Sequence, residues 1–138
     1  MSVLSDKQIN EYISAETITP VLNNTKWRKL FDLLNNSNKM FFYRSKDLNG
    51  STFPIDGSSY TPEIEQYWGA FKSMEWLEIL SYKEHRRGAL LKPEIEDFTS
   101  ELIAIAHSAG VKFTLIPRGI RVWGYVRKSE SPVFVERI

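Results

Sequence analysis

With 18 basic and 17 acidic side chains, the chain of 138 residues has a formal charge of +1 at pH 7, which excludes a global electrostatic field for nucleic acid or anionic membranes. It has no cysteine, which excludes disulfides and thiolate metal sites and fits the cytoplasmic location that we expect. No segment has the apolar length of a signal peptide or a membrane span, so no membrane partner is expected, and 42% hydrophobic residues suffice for one globular domain over residues 1–138.

Two helices are predicted near the N-terminus. Ser5, followed three residues later by Gln8, is a capping-box pattern at the start of a helix over about Asp6–Ser14. Thr19-Pro20 would open another turn, since proline suits the first helical position. A stronger helix is predicted over Asn24–Asn35, capped by its first residue, because its apolar positions follow the i, i+3, i+4, i+7 spacing: Trp27, Leu30, Phe31 and Leu34.

A strand and a long irregular stretch follow. Lys39–Lys46 predicts a strand with Phe41 and Tyr43 on one side and Phe42 and Arg44 on the other. From residue 47 to residue 68, glycine, serine, proline and aspartate predict loops, with one brief helical turn at 61–62. Long irregular connections are often functional. We therefore expect a partner-contacting surface there, with acidic and aromatic contact residues: Asp47, Asp56, Tyr60, Glu63, Glu65, Tyr67 and Trp68.

The stretch Phe71–Tyr82 predicts the central strand. Alternation places one set of side chains on one face (Met74, Trp76, Glu78 and Leu80) and the other set on the opposite face (Glu75, Leu77, Ile79 and Ser81). Both faces carry large apolar residues, as in a strand inside a sheet. Each glutamate then needs solvent, a sheet end or a basic partner. A helical interpretation is less favoured because the segment is short, aromatic-rich and lacks an N-cap.

The remaining chain predicts further elements, in order: a turn at His85–Gly88, a short strand Ala89–Leu91, a helix Pro93–Ser108 that ends at Gly110, a hairpin of Val111–Ile116 and Ile120–Val126, and an edge strand Pro132–Arg137. Hairpin connections dominate this order. The fold class expected is therefore α+β, with a mainly antiparallel sheet of about four to five strands and two to four helices packed against it.

The cluster from Glu84 to Arg87 contains the most reactive-looking side chains. His85 would serve as a general base in a small enzyme, with Arg87 holding a phosphate or carboxylate, provided that a pocket lies at this turn. A solvated turn is the favoured alternative, since charged turn residues are ordinary. His85 and His107 without a third ligand do not form a metal site. Phosphate-loop, nucleophile-elbow and zinc motifs are absent from the sequence, so neither a metal nor a cofactor is expected.

The last hairpin offers an alternative surface for single-stranded nucleic acid. Arg121, Trp123 and Tyr125 alternate onto one face and Arg127 follows them, and aromatic–cation surfaces of this kind stack bases. In the competing interpretation the aromatic rings pack under a helix and the arginines fringe the sheet, which the near-neutral charge favours. A buried Trp123 would count heavily against nucleic-acid binding.

Three segments carry a family resemblance: Asn23–Leu30, Met74–Ile79 and Gly119–Tyr125. They resemble small uncharacterised bacterial single-domain proteins that are similar to polymorphic-toxin immunity proteins. The resemblance implies a non-catalytic protein that binds a toxin domain and occludes its active site. It defines no binding residues. The acidic groups between residues 47 and 68 suit a nuclease target, whose substrate groove is positive.

Overall fold

The computed structural model describes residues 4–63 and 71–136. Within these residues the chain has the α+β fold that the sequence predicts. Among them, no helix combines the length and the apolarity that crossing a membrane requires. The elements in chain order are α1 Asp6–Glu16, β1 Ile18–Pro20, α2 Asn24–Asn36, β2 Phe42–Asp47, β3 Thr52–Phe53, a 3-10 turn Phe71–Ser73, β4 Met74–Leu80, β5 Tyr82–His85, β6 Glu94–Asp97, α3 Thr99–Ala109, β7 Phe113–Ile116, β8 Gly119–Trp123 and β9 Tyr125–Arg127.

The main sheet has five antiparallel strands in the order β3-β2-β4-β8-β7. β4 lies in the middle, which confirms the predicted central strand. It is shorter than predicted at both ends, because Phe71–Ser73 forms a 3-10 turn and Tyr82 begins β5. Leu77 and Ile79 at its centre are fully buried.

The core lies between this sheet and helices α2 and α3. The sheet contributes Leu77, Ile79, Ile120 and Val122, and the predicted apolar stripe of α2 packs in the same cluster with Leu102 and Ala106 of α3. The cap of α2 is Asn23, one residue earlier than predicted, and its Oδ1 accepts a hydrogen bond from the Lys26 amide at 2.9 Å. Burial of this stripe is the main stabilisation of α2.

A second, smaller core lies under α1. The predicted capping box of Ser5 and Gln8 is present, and the helix helps to bury Ile9, Ile18, Leu48 and Tyr125. The turn expected at Thr19-Pro20 is wrong, since these residues belong to β1, which pairs with β9. Proline fits there as the last residue of a short edge strand, where its missing N–H costs no ladder bond.

β5 and β6 form a separate two-stranded ribbon, here called the arm (residues 82–97). The predicted helix start at Pro93 is wrong, because Glu94–Asp97 pairs with β5 and α3 begins at Thr99. Asp97 instead receives a hydrogen bond from the Thr99 amide at 2.9 Å. The strand expected at 89–91 is the turn at the end of the arm. The predicted helix end at Gly110 is confirmed by its left-handed conformation.

The predicted hairpin is present as β7 and β8. Its second strand is split from β9 at Gly124, whose amide donates to the Glu75 carbonyl at 2.8 Å. A Cβ at this position would lie 2.3 Å from the Met74 carbonyl oxygen, so only glycine fits. No strand forms over residues 131–136, although the Val135 amide donates to the Phe113 carbonyl at 2.9 Å beside β7. The last predicted residue, Arg137, lies outside the described residues.

Candidate functional site

The sheet face opposite α2 and α3, here called the second face, is organised around Glu78. The strand register places Arg44 of β2 and Arg121 of β8 directly beside it. Oε1 of Glu78 accepts from Nε (2.9 Å) and Nη2 of Arg44, and Oε2 accepts from Nε (3.1 Å) and Nη2 (2.8 Å) of Arg121. Glu78 is 3% exposed. Two forked arginines thus compensate a carboxylate that would be costly to bury alone.

The Trp76 side chain contacts the same two arginines through cation–π interactions. The guanidinium carbon of Arg121 lies 4.3 Å from a Trp76 ring centroid, and that of Arg44 lies at 5.9 Å. Planar guanidinium groups stack favourably on indole rings. The arginines are therefore held by a carboxylate and by an aromatic ring at once.

Glu75 lies on the second face as well, which corrects the predicted alternation. Lys46 pairs with Trp76 but Asp47 pairs with Met74, so β4 has one extra residue, a β-bulge. Met74 consequently joins the helix-side core. Glu75 contacts Lys46 Nζ at 3.3 Å and Arg127 Nε, so both glutamates of β4 have the basic partners that burial demands. Burial raises the pKa of Glu75, and the charge of Lys46 opposes this.

The charged groups of the second face are engaged with one another. Among the described residues, every buried side-chain nitrogen and oxygen atom has a hydrogen-bond partner, and no group of three or more acidic, histidine or cysteine side chains is arranged to hold a metal. The network therefore holds the sheet and its neighbouring loop in place.

That loop, residues 52–63, is here called the display loop. Arg44 Nη1 donates to the Gly57 carbonyl at 2.9 Å, and the Tyr60 hydroxyl donates to Glu78 Oε1 at 3.0 Å. Tyr43 and Thr61 exchange two backbone hydrogen bonds, at 2.7 and 2.9 Å. The loop is thus tied to the second face at its middle and near its end.

The tip of the display loop presents Ile55 and Asp56. Ile55 is 94% exposed. The Asp56 carboxylate accepts hydrogen bonds from the hydroxyls of Ser58 (2.7 Å) and Ser59 (2.8 Å), which hold its pKa below the ordinary value. An apolar side chain beside a fixed negative charge therefore points away from the body of the protein.

The predicted contact residues separate into three groups. Asp47 is wrong as a contact residue, since it is 5% exposed and receives a hydrogen bond from the Ser73 hydroxyl at 3.4 Å. It ends β2 at the bulge, where its side chain turns inward, and burial raises its pKa to about 6. Asp56 and Glu63 are exposed, and Tyr60 is half-buried. The remaining three lie outside the described residues: Glu65, Tyr67 and Trp68.

Ile55 was not predicted from the sequence. The pattern Phe-Pro-Ile-Asp-Gly at residues 53–57 sets one apolar residue between turn-forming residues. That pattern is the local signal for an exposed apolar side chain at a turn. The loop that carries it is held by Arg44 and, through Tyr60, by Glu78, and both of these residues lie outside the loop.

The aromatic residues of the alternative nucleic-acid surface are buried, and its arginines are partly exposed. Trp123 is 6% exposed and its Nε1 donates to the Thr114 hydroxyl at 3.1 Å, while Tyr125 is 8% exposed and donates to a backbone carbonyl. Arg121 is bound to Glu78, and Arg127 is bound to Glu75 and Glu16. Neither ring has a free face for a base, so the predicted stacking surface is corrected to a structural one.

His85 and Arg87, the centre of the enzyme hypothesis, lie on the arm. His85 Nε2 is 2.9 Å from Glu96 Oε2, and the Arg87 guanidinium donates to the Lys92 carbonyl at 3.1 and 2.9 Å. A depression of about 410 Å³ lies at the base of the arm, and neither residue belongs to its lining: Phe42, Tyr60, Leu80, Tyr82, Lys83 and Glu84. Both side chains therefore act as exposed ties within the arm.

A family model described as a family of unknown function, DUF6678, matches residues 9–129. The match includes the nine strands of the described residues, the display loop and the arm. No curated protein and no solved structure matches the chain.

Proposed function

We propose that this chain, which belongs to the family of unknown function DUF6678, is a non-catalytic protein-binding module that contacts its partner through the display loop. The observation that carries the proposal is Ile55, 94% exposed at the tip of a loop that Arg44 and Tyr60 hold in place. Because the loop is already ordered, binding would cost little further conformational entropy.

The expected binding energy is that of one apolar anchor residue, Ile55, surrounded by polar contacts. Complete burial of an isoleucine side chain stabilises a complex by about 2 kcal/mol, roughly a 30-fold gain in affinity. Asp56 and Glu63 would lie at the rim, where charges act mainly on association rate and specificity. We propose no catalytic role for the second face. Its charged groups support this, because they already form ion pairs with one another.

The partner that we propose is a toxin domain, whose active site the display loop occludes in the manner of an immunity protein. The exposed carboxylates of Asp56 and Glu63 support a basic target. A nuclease groove provides such a target, since it is built to receive phosphates.

The test is affinity capture from the native organism's lysate with the full chain, with and without nuclease treatment. Ile55→Asp should lower the affinity for a stoichiometric protein partner by at least about 30-fold, because the charge cannot enter an apolar pocket, and the recovered amount should fall accordingly. Val133→Asp is the matched control, since Val133 is 87% exposed outside the display loop. Equal recovery by both variants would reject the display loop as the contact.

The purified partner then tests occlusion. One equivalent of the chain should abolish the partner's catalytic activity, whereas Ile55→Asp should require a large excess. A one-to-one complex that leaves the activity intact would retain protein binding and reject the immunity role.

A further inference from the structure

The end of the arm exposes apolar side chains to an unusual degree. Leu90 is 100% exposed and Leu91 58% exposed, and both lie at the turn that joins β5 to β6. Every residue from Lys83 to Asp97 is exposed, so the arm projects from the body. No sheet or helix of the described residues covers these leucines.

Basic residues flank the two leucines at the end of the arm, and acidic residues lie farther from that end. The segment 86–92 contains Arg86, Arg87 and Lys92 and no acidic residue. Two hydrogen bonds from the Arg87 guanidinium to the Lys92 carbonyl close this segment and keep 88–91 at the end. The carboxylates nearest to this segment in the sequence belong to Glu84 and Glu94, which lie in the paired strands β5 and β6.

From this order we infer that the arm tip, residues 86–92, is a docking site for an anionic lipid surface. An approaching bilayer would meet leucines first, which enter the hydrocarbon boundary, and arginine and lysine next, at the depth of the phosphates. The carboxylates would remain in water. The three cations of the tip act together with insertion of the leucines, and their charge acts within a Debye length of the surface, whatever the charge of the whole chain.

The shape of the tip favours lipid over an acidic protein. A specific protein interface buries about 800 Å² on each partner, whereas this tip is a narrow turn with two large apolar side chains and charged residues on both sides. A bilayer accepts such a tip by local insertion without a complementary pocket. This contact is peripheral and requires no membrane-spanning helix.

An ion pair at the base of the arm adds a contact between the arm and the body. Glu96 bridges Lys39, at 2.9 Å, and His85, at 2.9 Å. Lys39 precedes β2, and Glu96 lies on β6. The arm is therefore linked to the main sheet by more than its chain connections.

The test is vesicle flotation of the full chain with phosphatidylcholine vesicles, with and without about 30% phosphatidylglycerol. The chain should float with the anionic vesicles, and about 0.5 M salt should release it. Arg86→Glu and Lys92→Glu should each lower the bound fraction at least about five-fold, the effect of losing one cation near the surface. Leu90→Ser combined with Leu91→Ser should abolish flotation, while Val133→Ser, at another exposed apolar position, should have no effect.

The absence of flotation with anionic vesicles would overturn the inference, and it is the result that an acidic protein partner would give. Equal flotation with neutral vesicles, or equal loss in the Val133→Ser variant, would overturn it too. The display loop takes no part in this contact. Failure here therefore leaves the proposed protein binding untouched, and failure of that proposal leaves the lipid inference untouched.

Discussion

The buried carboxylates near the bulge are compensated to different degrees. Glu78 receives two arginine forks, and Glu75 receives Lys46 and Arg127. Asp47 receives a hydroxyl from Ser73, which opposes the effect of burial on its pKa without cancelling it. Burial raises the pKa of both Glu75 and Asp47, and the charge of Asp47 is compensated by a hydroxyl rather than by a cation.

Asp47→Asn should stabilise the protein at neutral pH. The folded-state pKa of about 6 lies above the ordinary value of 3.8, so the folded protein binds this proton more tightly than the unfolded chain does. The cost of the charge is complete above pH 6 and declines as the pH falls toward 4. The difference corresponds to at most about 3 kcal/mol. Urea unfolding should show a gain of about 1–3 kcal/mol near pH 8 that shrinks near pH 4.5.

Asp56→Asn is the opposing control for this experiment. The pKa of Asp56 is lowered by its serine hydroxyls, so its charge contributes stability above the ordinary pKa that is lost as the pH falls. Neutralising it should give no gain at any pH. A gain at Asp47 that does not depend on pH would show that packing, and not ionisation, is responsible.

At the residue scale, the sequence predicts that Glu75 and Glu78 require compensating charges, but it does not identify the residues that provide them. Two glutamates in a central strand require cations or solvent wherever they lie. The strand register identifies Arg44 and Arg121 as the partners of Glu78, and register arises from pairing across the sheet. The bulge that moves Glu75 to the second face has no local sequence signal.

At the scale of elements, local signals succeed where the element is stabilised locally. The capping box predicts α1, and the apolar stripe predicts α2 to within one residue at each end. The start of α3 fails because residues 94–97 fit a helical first turn, yet pairing with β5 recruits them into the arm. Tertiary pairing overrides propensity there.

The display loop is an element whose order depends on few contacts, and Tyr60→Phe tests this. The variant removes the hydroxyl that donates to Glu78 at 3.0 Å while keeping the ring beside Arg44. We expect a loss of about 1 kcal/mol, because Tyr60 is half-buried and the acceptor is charged. Amide hydrogen exchange over residues 54–61 should accelerate several-fold, measured by mass spectrometry.

Tyr82→Phe is a comparison for the loop variant, since Tyr82 is half-buried in the adjoining depression and lies on the arm. Its exchange in residues 54–61 should match that of the unmodified protein. Unchanged exchange in the Tyr60→Phe variant would mean that the remaining ties, from Arg44 and Tyr43, order the loop without the hydroxyl.

At the scale of the whole molecule, the formal charge of +1 conceals local segregation. The display loop exposes Asp56 and Glu63, and the arm tip carries three cations without an acid. Composition describes the sum, whereas binding depends on which charges lie together on the surface. The sequence already groups these charges along the chain, and the fold shows which of them reach the surface: Asp47 is buried, whereas Asp56, Glu63 and the three cations of the tip are exposed.

If local charge governs recognition, reversing it should slow association with a basic partner and leave dissociation nearly unchanged. Asp56→Lys with Glu63→Lys should lower the association rate about ten-fold at low salt, with the difference shrinking at high salt. Glu11→Lys with Asp32→Lys changes the net charge equally at exposed positions on α1 and α2. Surface plasmon resonance with the captured partner should show little effect of that pair. Equal slowing by both pairs would assign the effect to total charge and remove the display loop from the steering.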